Sequence, residues 1–411
     1  MEEKKFSDEL VKGSFYFFIM FAIFNFLNFI FQFSMARILG PVDYGTLAAL
    51  MTLLYLLAVP MDSVETLVAK YTSKFKIKKE FGKIKYLLLK MFSSGLKISI
   101  LMFVLLLPTF YLFSVFFKIN FLLVLLMGTM IFSIFLLPAT RGVMLGIKKF
   151  GTLGTNFVLE GILKLVIAMI LVLTGMKVYG AVLGIIFGTV IAFVLSIIPL
   201  RHIFNYKKEK SDYSKIYSYS TPILFTFMVI MVFQSVDILL AKRFFSPEVA
   251  GQYAVANLLG KIIFFGTFSI SKVMFPISSE KFESGNKTNI VFLKSLLIVI
   301  FLAIGVLFIY ALFPEKIINL LFGKEYIVVS SIALLIGLAF SLISLSNLIL
   351  MYAISINKSL RLWHLIFFTV SQVLLLTILR GNLVSFSIGM VISGLIILAT
   401  SIMIIKKKSG S

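Results

Sequence analysis

Long apolar stretches recur along the whole chain, separated by short polar segments. Each stretch reaches about 20 residues, the length at which an α-helix crosses a bilayer. The stretches lack the short apolar–polar alternation that is typical of barrel strands. The pattern predicts an all-α integral membrane protein with twelve transmembrane helices. The predicted helices lie at residues 14–36, 44–69, 86–113, 119–146, 152–175, 178–200, 216–241, 248–275, 289–313, 327–354, 361–379 and 383–405.

One segment of the chain, residues 31–54, occurs again as residues 237–260, at an offset of 206 positions. Proline and glycine constrain the backbone, so their matches carry more weight than matched Leu or Phe. The offset is half the chain and predicts a duplication into two six-helix lobes, residues 1–206 and 207–411. An even helix number relates such lobes by a pseudo-two-fold axis along the membrane normal. The matched pairs are Arg37 and Arg243, Pro41 and Pro247, Gly45 and Gly251, Ala48 and Ala254, and Leu53 and Leu259.

Composition and charge agree with this topology. Hydrophobic residues make up 60% and charged residues 14% of the chain, whereas soluble domains carry about 25% charged residues. With the N-terminus inside, 28 of the 39 Lys and Arg fall on the inner side and eight on the outer side. This asymmetry follows the positive-inside rule and predicts cytoplasmic termini in the cell membrane. The net charge of +22 then indicates attraction to anionic membrane lipids, not to nucleic acid.

Ionisable side chains inside the predicted helices are the candidates for function, because they are costly there and usually face a cavity or each other. Surplus positive charge in such a place suits the phosphate or pyrophosphate of a lipid-linked substrate. The same groups would also serve as structural ion pairs or interhelical hydrogen bonds; Glu160 and Lys164, at i,i+4 spacing, are such a potential pair. The cations are Lys97, Arg141, Lys164 and Lys261; the acids, for ion coupling or charge balance, are Asp62, Glu65, Glu160 and Asp237; the polar lining is Asn25, Asn28, Gln32 and Asn257.

Signatures of catalysis are missing from the sequence. There is no cysteine, the only histidines are His202 and His364, and no acidic cluster has metal-ligand spacing. No nucleophile elbow and no Walker loop occur. We therefore expect no enzyme activity, no catalytic residue, no metal and no cofactor, apart from possible coupling to Na⁺ or H⁺.

Residues 36–45 read Ala-Arg-Ile-Leu-Gly-Pro-Val-Asp-Tyr-Gly. This segment resembles the first hairpin of the polysaccharide exporters and Wzx-type lipid-linked oligosaccharide flippases, members of the multidrug/oligosaccharidyl-lipid/polysaccharide exporter superfamily. The resemblance implies a monomeric flippase that moves a polyprenyl-(pyro)phosphate-linked glycan outward by alternating access, beside glycan-assembly enzymes. It also implies a cationic cavity, with Arg37 among its residues. From the residues themselves we expect Pro41 and Gly45 to turn the chain outside the membrane and Arg37 to cap a helix dipole.

Three other functions remain open. A multidrug cation antiporter of the same superfamily would use buried acids, whereas the first predicted helix has none and the interior is basic. A membrane glycosyltransferase or glycan polymerase would need catalytic groups on external loops, where the acids are Asp43, Glu248, Glu315 and Glu325. A non-transporting scaffold would not need charges deep in its helices. The flippase hypothesis accounts for the most features.

Overall fold

The computed structural model describes residues 2–210, 232–233, 235–356 and 362–406. Side chains within these ranges are described except at residues 2–15, 59, 60, 62, 63, 276, 362–366 and 406. The described chain is helical throughout, apart from short turns, which confirms the all-α prediction. It divides into two compact units: residues 1–39 with 53–224, and residues 40–52 with 225–411.

The first unit is built from five helices and most of a sixth. α5 packs along α6, and α2 packs along α4. Its apolar core includes Val68, Leu88 and Val143, with Leu153 and Ile203. A π-helical turn at Val172–Met176 joins α5 to α6 and contains Gly175, whose φ of +94° is readily adopted by glycine. The helices are α1 (Glu2–Ile77, which also supplies residues 40–52 to the second unit), α2 (Phe81–Phe117), α3 (Phe121–Gly128), α4 (Met130–Gly146), α5 (Phe150–Leu171) and α6 (Lys177–Ile197).

The second unit is organised around one largely buried helix, α11. This helix packs against α8, α9 and α13, and Met274, Val299 and Leu348 belong to its core. A 3₁₀ turn at Lys324–Val329 leads into α11. The described helices are α7 (Val236–Phe244), α8 (Pro247–Glu283), α9 (Asn289–Leu312), α10 (Pro314–Leu321), α11 (Ser330–Ser355), α12 (Leu362–Ile378) and α13 (Leu383–Lys406).

Eight helical stretches of the described chain are long and apolar enough to cross a membrane. Two of them, Tyr16–Ala58 and Phe150–Asn205, each run through two predicted spans, because the bends between those spans keep a largely helical backbone. A shorter apolar helix, Phe367–Ile378, coincides with the eleventh predicted span. Most of the seventh, residues 216–241, lies outside the described residues. The number twelve, the lobe boundary at residue 206 and the cytoplasmic termini stay predictions.

The repeated segment turns the chain in each copy, at one residue in the first and at Phe245 and Ser246 in the second. In the first copy Gly40 alone leaves the helical conformation, with φ +71° and ψ +175°, and Pro41 starts the continuing helix. In the second copy Ser246 caps α8 and Pro247 occupies its first turn. The expectation that Gly45 also turns the chain is wrong. Gly45 is helical, because its role is a close helix contact with Gly251: a Cβ on Gly45 would lie 2.9 Å from the Gly251 Cα.

Lysines of the predicted inner side hold the ends of helices in the first unit. Lys85 Nζ donates to the carbonyl oxygens of Phe204, at 2.7 Å, and Tyr206, at 2.9 Å. Lys76 Nζ donates to the Ile147 carbonyl at 2.5 Å. Burial, with a smaller contribution from nearby Lys148, lowers the pKa of Lys76. These cations therefore bind carbonyls at helix carboxyl ends, where the helix dipole favours positive charge.

Candidate functional site

Glycines on α6 let this helix run directly against the backbone of α5. Gly184 and Gly188 are one turn apart, as in the small-residue interfaces of membrane helices. A Cβ on Gly184 would lie 2.5 Å from the Ala168 Cβ, and a Cβ on Gly188 would lie 2.7 Å from the Lys164 backbone nitrogen. The close approach places the polar groups of α6 against the polar side chains of α5.

The first part of α1 approaches another face of α5 in the same way. A Cβ on Gly154 would lie 2.7 Å from the Met20 Cβ, and a Cβ on Gly161 would lie 3.0 Å from the Leu27 Cδ1. Asn28 follows Leu27 and is thereby brought within reach of α5. Helices α1 and α6 thus pack against different faces of α5, on which Asn156, Glu160 and Lys164 form a stripe at spacings of four.

That stripe holds a buried ion pair between α4 and α5. Arg141 Nη2 lies 2.6 Å from Glu160 Oε2, and Arg141 Nε donates to Asn156 Oδ1 at 2.9 Å. The other oxygen of the carboxylate, Oε1, accepts from Thr189 Oγ1 at 3.0 Å. Asn156 in turn donates to the Ala192 carbonyl at 2.8 Å. The charges are compensated and hydrogen-bonded within one unit, as a buried ion pair requires.

Lys164 lies one helical turn from Glu160 and is 8% exposed. Its ammonium donates to Asn28 Oδ1 on α1 and lies 5.0 Å from the centroid of the Phe31 ring. It also acts electrostatically on Glu160, although the carboxylate forms its close ion pair with Arg141. The predicted i,i+4 partners are therefore neighbours, and Arg141 takes the position that the spacing suggested for Lys164.

This cluster of Arg141, Asn156, Glu160 and Lys164 carries two cations and one anion. A lysine ammonium has three donors, and among the described residues one of the Lys164 donors has an acceptor. The cluster can therefore bind one more anionic or carbonyl oxygen at Lys164 without breaking the Arg141–Glu160 pair. A phosphate oxygen is the strongest such acceptor, because its hydrogen bond would be charge-assisted.

The second unit has its own buried charge, Asp237 at the start of α7. Its Oδ2 accepts from Tyr253 Oη at 2.8 Å and from Asn257 Nδ2 at 2.7 Å. Lys261, a further turn along α8, acts electrostatically on the carboxylate. Two oxygens here, Asp237 Oδ1 and Asn257 Oδ1, are buried without a well-formed hydrogen bond to any described residue. Either oxygen can accept a hydrogen bond or ligate a cation, and the carboxylate can also take up a proton.

Gln372 of α12 adds another polar group to the second unit. Its Nε2 donates to the Phe233 carbonyl at 2.7 Å, and its Oε1 is buried without a hydrogen bond to any described residue. No group of three or more His, Cys, Asp or Glu that could hold a metal occurs in the part of the chain that the structure describes. Among the polar residues Asp237, Tyr253, Asn257, Lys261 and Gln372, the only acid is Asp237. A cation bound by them would therefore need neutral oxygens as its other ligands.

The other predicted site residues lie apart from these clusters. Asn25 is exposed and donates to the Phe21 carbonyl at 2.9 Å, while Gln32 lies 3.5 Å from the Tyr55 hydroxyl. Lys97 is exposed on α2 between exposed Leu96 and Ile98. Arg37 is exposed in the last turn before Gly40, and Glu65 is half-buried opposite Gly142. The Asp62 side chain lies outside the described residues.

Sequence reasoning missed several members of both clusters. On α5 the polar residues Asn156, Glu160 and Lys164 are spaced by four, and on α8 Tyr253, Asn257 and Lys261 repeat that spacing. Each set lies on one helix face, so the spacing was a usable signal. Thr189 and Gln372 carried no such signal, because one short hydroxyl or amide in an apolar helix is common.

The comparisons with solved structures establish the fold. The chain is similar to an inward-facing multidrug resistance MATE family transporter of the MOP superfamily, with TM-score 0.75, 13% identity, and coverage of 93% of this chain and 96% of that one. A MOP superfamily transporter from Pyrococcus furiosus gives TM-score 0.64, 14% identity, and coverage of 97% and 96%. The lipid II flippase MurJ gives TM-score 0.67, 14% identity, and coverage of 95% and 88%. The chain therefore has the fold of MOP superfamily transporters.

Sequence comparison adds the family. An uncharacterized membrane protein, MJ1068 of Methanocaldococcus jannaschii, is 30% identical over 153 residues, which are 34% of this chain and 29% of that relative. The chain thus spans less than a third of the length of this curated relative. The family model described as polysaccharide biosynthesis protein matches residues 34–331, well over half of the chain. This multi-pass membrane protein belongs to the polysaccharide biosynthesis protein family.

Proposed function

We propose that this protein is a flippase that moves a polyprenyl-(pyro)phosphate-linked oligosaccharide across the cytoplasmic membrane by alternating access. Its product would serve the synthesis of a cell-surface polysaccharide. The observation that carries the proposal is the Lys164 ammonium, 8% exposed within an apolar helix, with Asn28 as its acceptor among the described residues. The family supports a glycan substrate, and the fold supports transport.

The charge of the first cluster favours an anionic substrate. Placing a charged side chain at the membrane centre costs about 3 kcal/mol or more of free energy. Such side chains are therefore usually paired with a group of opposite charge. Glu160 neutralises Arg141, which leaves Lys164 as the surplus cation of the cluster. A phosphate group arriving at Lys164 would supply the missing negative charge. In this mechanism Lys164 binds the head of the substrate, and the Arg141–Glu160 pair fixes the positions of α4 and α5.

Ion coupling is proposed for the second unit, at Asp237. Na⁺ or H⁺ would bind the carboxylate together with Asn257, whose Oδ1 is buried without a hydrogen bond to a described residue. Lys261 would act as the competing positive charge, since it already acts electrostatically on Asp237. Binding and release of the ion would then change the net charge between α7 and α8. This change would favour different conformations in the two states, as alternating access requires. Arg37, Lys97, Lys261, Asp62 and Glu65 remain proposed contributors to the substrate path or its charge balance.

The multidrug antiporter is the main rival, because one similar fold is a multidrug resistance transporter. A cationic drug needs an acid that is available to it. Glu160 is already paired with Arg141, and Asp237 has Lys261 as a nearby positive charge. These contacts favour the anionic substrate over the cationic drug.

Complementation of a flippase-null strain tests the proposal. We expect the protein to restore surface polysaccharide and to move the lipid-linked glycan to the outer leaflet, with monomeric protein sufficient for rescue. Rescue should be tried against several glycan types, and drug resistance should be measured in the same cells. Drug resistance without glycan rescue, at verified membrane expression, would establish the antiporter. Polysaccharide elongation without a change of leaflet would establish the polymerase.

A further inference from the structure

Two arginines line a cavity of about 440 Å³ at one end of the second unit. Arg243 lies in the last turn of α7, and Arg380 lies in the turn between α12 and α13. Phe244 and Gly381 complete the lining. The volume falls within the range of roughly 300–1,000 Å³ that small-molecule sites occupy. By the charge distribution along the chain, both arginines lie on the predicted outer side of the membrane.

The walls of this two-arginine pocket are fixed by aromatic contacts. The Arg380 guanidinium lies 5.2 Å from the centroid of the Phe244 ring, a cation–π distance. Phe386 of α13 packs edge-on against Phe245 and Tyr253, with ring centroids 5.3 Å and 5.0 Å apart, respectively. These rings hold α13 against α7 and α8. Arg243, at the end of α7, and Arg380, in the turn after α12, thereby line one pocket from two separate elements.

The two helices that flank the Arg380 turn carry exposed apolar side chains. Leu374 and Ile378, on α12 before Arg380, are 56% and 75% exposed, and Val384, just after it on α13, is 43% exposed. In a membrane protein such side chains face lipid tails. A ligand at this place would therefore meet positive charge at the helix ends and hydrocarbon alongside. That combination matches an amphiphile with an anionic head.

We propose that the two-arginine pocket binds the phosphate group of a membrane amphiphile, with its hydrocarbon chain along α12. Two planar guanidinium groups match phosphate oxygens bidentately, whereas a single lysine offers only a point charge. The phosphate can come from a bulk phospholipid or from a polyprenyl phosphate, and the chemistry recognised is the same. The proposal does not depend on transport, because it concerns binding at the outer end of the second unit.

Binding to the full-length protein in a neutral detergent tests this site. The probes are dioctanoyl phosphatidic acid, farnesyl phosphate, inorganic phosphate and dioctanoylglycerol, each titrated and read out by native mass spectrometry. We expect both phosphate amphiphiles to bind, and the Arg243→Gln/Arg380→Gln variant to weaken them at least about tenfold, as expected for the loss of charge-assisted hydrogen bonds. The tighter amphiphile identifies the source of the phosphate. Dioctanoylglycerol should be unaffected by the change.

A double variant Lys316→Gln/Lys324→Gln removes the same charge from exposed residues of the same predicted side and should leave binding unchanged. Equal binding to the arginine variant and the unmodified protein would overturn the proposal. Binding of inorganic phosphate as tight as that of the amphiphiles would also overturn it, because the hydrocarbon chain would then contribute nothing to the affinity. If the Arg243→Gln/Arg380→Gln variant does not fold, the single variant Arg380→Lys is measured in its place. It keeps the charge but not the guanidinium fork, and the expected loss is several-fold.

Discussion

Gly45 and Gly251, equivalent positions of the internal repeat, lie in direct contact within the second unit. A Cβ on Gly45 would lie 2.9 Å from the Cα and the nitrogen of Gly251, and a Cβ on Gly251 would lie 1.7 Å from the Pro41 carbonyl oxygen. The repeat therefore preserves a close helix crossing, in addition to a turn.

Gly251→Ala should destabilise the protein strongly, because the new methyl group would meet backbone atoms that cannot move aside. A loss of about 3 kcal/mol or more is expected, at or above the upper end of the range for overpacked core sites, because the clash is with backbone. Thermal unfolding in detergent measures it. Gly266→Ala is the matched control on the same helix, since a Cβ there meets nothing within 4 Å. Alanine should stabilise that site slightly. Equal unfolding temperatures for the two variants would show that the crossing is not tight.

The Arg141–Glu160 pair should behave as a unit. Glu160→Gln or Arg141→Gln alone leaves one charge buried without its partner, at a cost of about 3–5 kcal/mol. The double variant should be more stable than the sum of the single changes predicts, because neither Arg141 nor Glu160 is then left without the other. A double-mutant cycle on unfolding temperature and denaturant resistance measures the coupling. Additive effects would mean that the 2.6 Å contact contributes no coupling energy.

These two relationships differ in how far the sequence predicts them. The repeat and its glycines are visible in the sequence, because Pro and Gly constrain the backbone locally. Which acid pairs with which cation is not visible, because Arg141 and Glu160 are 19 residues apart and meet only when α4 packs on α5. Lys97 is a second case in which the sequence does not predict the surroundings of a charged side chain. Its position within an apolar span is visible in the sequence, but the exposure of its helix face is not.

Asp237→Asn should uncouple transport from its ion gradient. The amide keeps an acceptor for Tyr253 and Asn257 but cannot carry the charge that holds Na⁺ or exchanges H⁺. We expect imposed Na⁺ or H⁺ gradients to lose their stimulation of transport in proteoliposomes, while gradient-independent exchange continues. Glu283→Gln, at an exposed acid of the same unit, is the control. Undiminished stimulation by both ions would remove Asp237 from the coupling mechanism.

Lys85→Ala should loosen the segment at residues 201–210. The lysine holds the Phe204 and Tyr206 carbonyls, so its loss should expose the adjacent Lys207 and Lys208 to trypsin. An increase of at least about fivefold in cleavage there is expected, because each charge-assisted hydrogen bond contributes on the order of 1 kcal/mol or more. Lys90→Ala, at an exposed lysine of the same helix, should leave the cleavage rate unchanged. Equal rates for both variants would make the segment independent of Lys85.

Lys164 is tested most directly by the transbilayer rate of a polyprenyl-pyrophosphate-linked glycan in liposomes that hold the purified protein. A membrane-impermeant glycosidase reports how fast protected glycan becomes accessible. We predict rapid exchange for the unmodified protein, about tenfold or more slower exchange for Lys164→Gln, and an intermediate rate for Lys164→Arg. Lys210→Gln, which removes an exposed charge from the same unit, should exchange normally. Unchanged exchange by well-folded Lys164→Gln would contradict the role of Lys164, and no exchange by the unmodified protein would contradict the flippase itself.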